Sequence, residues 1–355
     1  MLFFELLQVA LGNRKSLSRV LSAQEWFEIY VEAERQAITG ILLHGIEKLP
    51  TEQRPSQAFL LQWIGIGQLT SQRNHLMDQR CADLLKRLND YGLHGSILKG
   101  QGVALLYEKE SRPLRQSGDI DVYVDCGQKR ALEFAKSLGQ ETVQWDYKHL
   151  HLKIWDDTEV ELHYRVEVLH NPWKNVRLQR WFNENDALLY DKRGGLTTPT
   201  TLFNVFYILL HIYRHFFFSG IGLRQIVDYY MVLRTVHNEK LSADYPLDAV
   251  SQYGLERFAQ GLMWLMHEAL GMPKEWMLWE PNRKEGEYIL QQVMRGGNFG
   301  HYDERLHRSK SKLGAVRNVI NHNFYMLSHY PSDTIWAPVW FAYHKLWKIK
   351  TKMNL

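Results

Sequence analysis

Asp119 and Asp121 stand two residues apart in the run Gly118-Asp119-Ile120-Asp121-Val122-Tyr123-Val124. The flanking apolar residues alternate with them, which is the pattern of a β-strand. Alternate side chains on a strand share a face, so both carboxylates point the same way, with Cα atoms roughly 7 Å apart. Ile120, Val122 and Val124 then point into a core. Like charges on one sheet face raise each other's pKa and are costly without a counter-charge. A divalent cation removes that cost, and hard oxygen ligands favour Mg²⁺ or Mn²⁺ over zinc.

The residues upstream extend the pattern. Ser96-Ile97-Leu98-Lys99-Gly100-Gln101-Gly102 reads as a short apolar strand entering a glycine turn, and the apolar run Val103 to Tyr107 reads as a helix. Glycine lets a backbone approach a ligand closely, and a helix start offers free N–H groups to an anion. Strand, turn, helix and acidic strand together form a unit suited to a triphosphate and its metal.

A third acidic group is expected on a neighbouring strand. Residues 149–155 alternate, with His149, His151 and Lys153 on one face and Leu150, Leu152 and Ile154 on the other. Asp156-Asp157 supplies a turn. Glu159, Glu161, His163 and Arg165 then share a face opposite Val160, Leu162, Tyr164 and Val166. The two runs predict an antiparallel hairpin. Glu161, mid-strand, is the candidate third carboxylate, with Glu159 as its neighbouring alternative.

The stretch from Leu98-Lys99-Gly100 through Arg115 to Gly118-Asp119-Ile120-Asp121, with Glu161-Leu162-His163 beyond it, resembles the polymerase-β-like nucleotidyltransferase superfamily. More narrowly it is similar to uncharacterised bacterial nucleotidyltransferase family proteins. The turn-to-Asp spacing is also similar to one class of aminoglycoside nucleotidyltransferases. The sharp part of the resemblance covers about residues 96–166, and a weaker part extends over most of the chain. Gly100-Gln101 departs from the usual Gly-Ser or Gly-Gly at the turn.

The resemblance implies an α+β fold: a mixed sheet with helices, flanked by helical regions on both sides. It implies transfer of a nucleoside monophosphate from an NTP, ATP by default, to a hydroxyl of a small molecule or protein. Asp119, Asp121 and Glu161 are then the metal ligands and catalytic carboxylates, and either a second metal or Glu161 acting as general base activates the acceptor hydroxyl. Lys99, Gly100, Gln101, Arg112 and Arg115 are the expected contacts of the triphosphate. Arg115 has an alternative in pairing with Asp119 or Asp125, Lys99 in an ordinary surface position, and His163 in a structural role beside the acids. A catalytically silent nucleotide-binding protein of the same fold, and a nucleic-acid-directed transferase, are the rival readings.

The remaining chain sets bounds. A net charge of +4, with pI near 8.8, is too mild to argue for nucleic acid. Two cysteines, Cys81 and Cys126, form neither a metal motif nor a disulfide framework, which fits a cytoplasmic protein. The N-terminus lacks a signal-peptide pattern, and no apolar run is long enough for a transmembrane segment. Residues 202–218 are apolar but interrupted by Asn204, His211, Arg214 and His215, so they predict a buried core helix.

Three segments are expected: a helical region over 1–92, the α/β core over 93–192 and a helical region over 193–355. Ser22 to Glu25 has a capping-box pattern, predicting a helix that runs toward Leu49 and ends at Pro50. A second helix is predicted over about 55–90, with Leu61, Ile64, Leu69, Leu76, Leu84, Leu85 and Leu88 as its apolar stripe. His211 and His215, one turn apart, have a metal-compatible spacing but lack an obvious third ligand and read as structural or substrate-side residues. Arg224 and Asp228 share a helix face and either approach the nucleotide or form a buried pair. The aromatic stretch Trp336 to Trp347 and the lysines from Lys345 to Lys352 predict a packed terminal helix with a solvated tail, the alternative being a membrane-surface helix.

Overall fold

A computed structural model describes residues 1–218, 220–305, 326–327 and 329–353. The chain forms two compact units, each discontinuous in sequence. A helical unit comprises Met1–Leu76, Val103–Ser117 and Asn204–Glu304. A sheet-containing unit comprises Met77–Gly102, Gly118–Phe203 and the described residues from 305 onward.

In the helical unit, α1 (Leu2–Ala10), α2 (Ala23–Arg35) and α3 (Thr39–Lys48) precede α4 (Gln57–Asp90), which continues into the other unit. The Ser22–Glu25 capping box is present. The Ser22 hydroxyl accepts from Glu25 N–H at 3.3 Å, and the Glu25 carboxylate accepts from Ser22 N–H at 2.9 Å. The expected single helix to Leu49 is broken at Gln36–Ile38, where Ala37 has φ 55°. Gln36 explains the break. It is fully buried, its amide donates to Val293 O, and its carbonyl accepts from Leu223 N–H. Leu223 begins α9 (Leu223–Asn238), so Gln36 satisfies an N–H that has no partner within that helix.

The buried seam of α4 differs from the predicted stripe. Leu61 and Leu69 are exposed, whereas Trp63, Gly67, Asn74, Met77, Cys81, Leu84 and Leu88 are buried. Their four-and-three spacing is a packing seam, and small or polar residues occupy part of it. Asn74 is buried because its amide donates to the carbonyls of Pro113 and Arg115, at 2.7 and 2.6 Å.

The predicted core helix exists as α8 (Thr201–Phe218), and Thr200 Oγ1 accepts from Phe203 N–H at its start. After α9 come α10 (Asp244–Tyr253), α11 (Glu256–Leu270) and α12 (Arg283–Gly296). The first and last parts of the helical unit are tied by side chains. Gln8 and Asn13 donate to the carbonyls of Ala269 and Leu270, at the end of α11.

The sheet has five strands in the order β1-β2-β5-β4-β3. These are β1 (Gly95–Leu98), β2 (Ile120–Val124), β3 (Gln144–Trp145), β4 (His149–Trp155) and β5 (Thr158–His163). β2 and β5 are parallel and the other pairs antiparallel. The expected β4–β5 hairpin is present. Val122, Leu162 and Leu150 stand side by side on the buried face, as do Ile120, Val160 and Leu152. α5 (Lys99–Ala104) follows β1, and between β2 and β3, α6 (Gly127–Ser137) ends ahead of Gly139 at φ 78°. Beyond the sheet, the chain forms α7 (Pro172–Glu184) and a small ribbon of β6 (Asp191–Arg193) and β7 (Leu196–Thr198).

The terminal helix α13 (Pro331–Met353) turns Trp340 and Trp347 onto Tyr147, with ring centroids 5.0 and 4.8 Å apart. Arg165 stacks over the same Tyr147 ring at 4.1 Å. Of the basic run, Lys345 is exposed and Lys348 lies over Trp145 at 5.2 Å; the side chains of Lys350 and Lys352 fall outside the described residues. Among the described residues, no helix is long and apolar enough to cross a membrane.

Candidate active site

The site is built on the polar face of the sheet. Strand register brings Asp121, Glu161 and His151 into one row across β2, β5 and β4. Tyr123, His163 and His149 form the adjacent row. Asp119 precedes β2 and is exposed, whereas Asp121 is only 3% exposed. Asp119, Asp121 and Glu161 each offer an oxygen, all within 4.8 Å of one another.

The turn after β1 supplies the first counter-charge. Lys99 has φ 45° and Gly100 φ 30°, an uncommon pair of conformations. Gly102 is required by close approach, since a Cβ there would lie 2.5 Å from the Ile97 carbonyl oxygen. This tight return places Lys99 Nζ 2.8 Å from Asp121 Oδ1. His163 Nε2 lies 2.8 Å from the same oxygen and 3.2 Å from Glu161 Oε2.

These contacts divide the carboxylates. Burial opposes ionisation of Asp121, but the Lys99 ammonium and the His163 hydrogen bond hold it well below the usual carboxylate range. Asp119 moves the other way. The Asp121 charge, and then desolvation by the surrounding protein, push it up to about 6, even though its side chain reaches solvent. Glu161 is desolvated too, yet the His163 hydrogen bond leaves it lowered. The cluster therefore keeps an ionised, buried oxygen pair beside an exposed carboxyl that repulsion tends to protonate. Three hard oxygen donors whose mutual repulsion Lys99 and His163 only partly offset fit a Mg²⁺- or Mn²⁺-type ion.

Gln101 turns away from this oxygen cluster. It is buried, and its amide donates to Asp78 Oδ1 on α4 at 2.7 Å. Its Oε1 is buried with no hydrogen-bond partner among the described residues.

Lys99, Gly100, Gln101, Asp119, Asp121, Glu161 and His163 all belong to the sheet unit, whereas Arg112, Arg115, Arg224 and Asp228 belong to the helical unit. Arg112 is half-buried in a short 3-10 turn, Arg112–Leu114. Arg115 is 4% exposed, and its Nε and Nη2 both donate to Asp228 at 2.7 Å. The Tyr107 hydroxyl donates to the same carboxylate at 2.7 Å. Arg115 thus pairs with Asp228, rather than with Asp119 or Asp125 as the alternative reading had it. Arg224 donates to Gln116 O at 3.0 Å and lies over the Phe299 ring at 5.6 Å.

Two histidines belong to the site although neither was singled out from the sequence. His149 Nε2 lies 3.3 Å from Glu161 Oε1 and 3.2 Å from His151 Nε2. His151 Nδ1 lies 3.1 Å from Glu159 Oε1. Burial, reinforced by the nearby His163, lowers His149 to about 3, so its ring is neutral. The available signal was the alternation of β4: a hairpin partner of β5 must set its polar face beside that of Glu161 and His163.

The model of a family described as uncharacterised nucleotidyltransferase matches residues 22–271. No curated protein and no solved structure matches the chain. The matched span includes the glycine turn, the paired aspartates and the Glu161 strand, so the chain belongs to this family of nucleotidyltransferases, and it is a transferase.

Proposed function

We propose that the protein moves a nucleoside monophosphate from an NTP, ATP by default, to a hydroxyl of a small molecule or a protein. The observation that carries this reading is the convergence of Asp119, Asp121 and Glu161 within 4.8 Å beside the Lys99–Gly100 turn. Asp119, Asp121 and Glu161 would hold Mg²⁺ or Mn²⁺, which when bound neutralises phosphate charge and polarises the phosphoryl oxygens.

The chain's own residues do the rest by positioning and electrostatics. Gly100 leaves the turn open to the phosphates, because among the described residues a Cβ there would have only the Asp119 carbonyl oxygen, at 3.7 Å, within van der Waals range. Lys99 supplies positive charge at the buried end of the cluster. In the transfer, the acceptor oxygen bonds to the α-phosphorus, the bond to the β-phosphate bridge breaks and pyrophosphate leaves. The hydroxyl proton passes to a carboxylate of the cluster. Glu161, held ionised by His163, is better suited to be a ligand than a strong base. The mild net charge favours a small-molecule or protein acceptor over nucleic acid.

Calorimetric titration with ATP, GTP, CTP and UTP, in Mg²⁺ and then in EDTA, tests the reading. One nucleotide should bind only with metal, and Asp119→Ala should abolish that binding while leaving the fold intact. Binding that survives both EDTA and Asp119→Ala would place the nucleotide elsewhere.

A further inference from the structure

The histidine side of the cluster has a donor chemistry of its own. His149 and His163 stand in register on adjacent strands, 7% and 0% exposed. His163 Nε2 is 3.2 Å from one oxygen of Glu161, and His149 Nε2 is 3.3 Å from the other. On both rings Nδ1 is buried with no hydrogen-bond partner among the described residues. The hydrogen bonds of each ring are therefore made through Nε2, which faces Glu161 in both rings and in His163 also lies 2.8 Å from Asp121 Oδ1. His149 Nε2 also faces His151 Nε2 at 3.2 Å and Asp146 Oδ2 at 3.6 Å. One ring proton cannot serve an imidazole nitrogen and two carboxylates at once, whereas a cation attracts all of these lone pairs.

We infer that His149, Glu161 and His163 form a second metal site, selective for a zinc-type divalent transition ion over Mg²⁺. Imidazole nitrogen suits Zn²⁺ and the ions near it in the first transition row, while Mg²⁺ keeps to oxygen. Donors that share a tetrahedral ion at about 2.0–2.1 Å sit roughly 3.4 Å apart. The two nitrogen-to-oxygen distances, one to each oxygen of Glu161, are close to that separation, and the three donors lie within 4.8 Å of one another. Two histidines and one carboxylate also match a donor set that leaves a coordination position open. The ligands project from paired strands and not from loops, so the sheet sets their backbone positions, and His163 Nε2 has only to exchange its Asp121 contact for the ion. Its ion fixes Glu161 next to Asp121, and in that respect the inference rests on Glu161 belonging to the reaction site.

The full chain, without nucleotide, is dialysed against Co²⁺ in excess Mg²⁺, and bound Co²⁺ is followed by its visible absorption. Stoichiometric Co²⁺ should be retained against Mg²⁺, with the band of nitrogen ligation. His149→Asn and His163→Asn should each weaken retention by more than about 100-fold, beyond the roughly 10–100-fold cost of losing an outer-shell partner. Asp119→Asn should leave Co²⁺ retention as it is. Complete displacement by Mg²⁺, or wild-type retention and spectrum in both histidine variants, overturns the second site. The wild-type spectrum decides the matter even where a variant misfolds. Histidine-dependent Co²⁺ with nucleotide binding indifferent to Asp119 leaves this site standing and removes the reaction site. Histidine-independent Co²⁺ with Asp119-dependent nucleotide binding does the reverse.

Discussion

Asp119 and Asp121 are two residues apart but have different physical roles. Asp119 is exposed, so its removal takes away a charge and leaves no buried partner behind. Asp121 is buried against Lys99, which is 14% exposed, and against His163. Asp121→Ala strands an ammonium and an imidazole in a desolvated place. It should lower unfolding free energy by about 3 kcal/mol, the range for breaking a buried ion pair. Asp119→Ala should cost far less. Urea unfolding of the two variants checks the asymmetry, and equal midpoints would mean that Lys99 is not held by Asp121. The Asp-x-Asp spacing alone makes the pair visible. It is blind to this division, which depends on where Lys99 and His163 arrive from other parts of the chain.

At the scale of elements, the β4–β5 hairpin is legible because its side chains alternate and Asp156-Asp157 marks its turn, and the strands β1 and β2 are legible from an apolar run before a glycine turn and from the Asp-x-Asp alternation. The break after α2 is not, because it depends on Gln36 reaching Val293 and Leu223, more than 180 residues away in sequence. The α4 seam is hidden in the sequence for a related reason. Leucine content pointed to Leu61 and Leu69, but the packed positions include Gly67 and Asn74, whose value lies in close approach and hydrogen bonding. The turn between β1 and the following helix is more demanding still. Gly102→Ala sets a Cβ against the Ile97 carbonyl, where the backbone must move. An overpacking cost of about 2 kcal/mol is expected, together with weaker nucleotide binding as Lys99 shifts. An unchanged denaturation midpoint and unchanged affinity would show that the turn is looser than its geometry.

At the scale of the molecule, segments far apart in sequence share each compact unit. Within the helical unit, Asn74 holds the carbonyls of Pro113 and Arg115, while Arg115 and Tyr107 hold Asp228 on α9. Three stretches of chain meet in that network. Arg115→Ala should therefore cost about 3 kcal/mol, because Asp228 loses its buried counter-charge. Replacing both partners, Arg115→Met with Asp228→Leu, should recover most of the loss. Chemical denaturation of the single and double variants checks this. A stable Arg115→Ala variant with weakened NTP affinity would instead return Arg115 to the phosphates.

The family, the mixed α+β class and the Asp119–Asp121–Glu161 cluster could be reasoned from the sequence because each rests on local order. Strand alternation, turn residues and short motif spacing are written within a few positions. Which groups neutralise those acids was decided by tertiary structure. Lys99 reaches Asp121 through an unusual turn, His163 bridges Asp121 and Glu161, and His149 arrives from the neighbouring strand. Arg115 and Asp228 lie 113 residues apart and are equally plain as phosphate or cleft residues in one dimension. Only folding brings them within 2.7 Å, where burial makes the pair costly to break. Charge and residue type are local properties, whereas the partner that satisfies a charge is a property of three-dimensional contact.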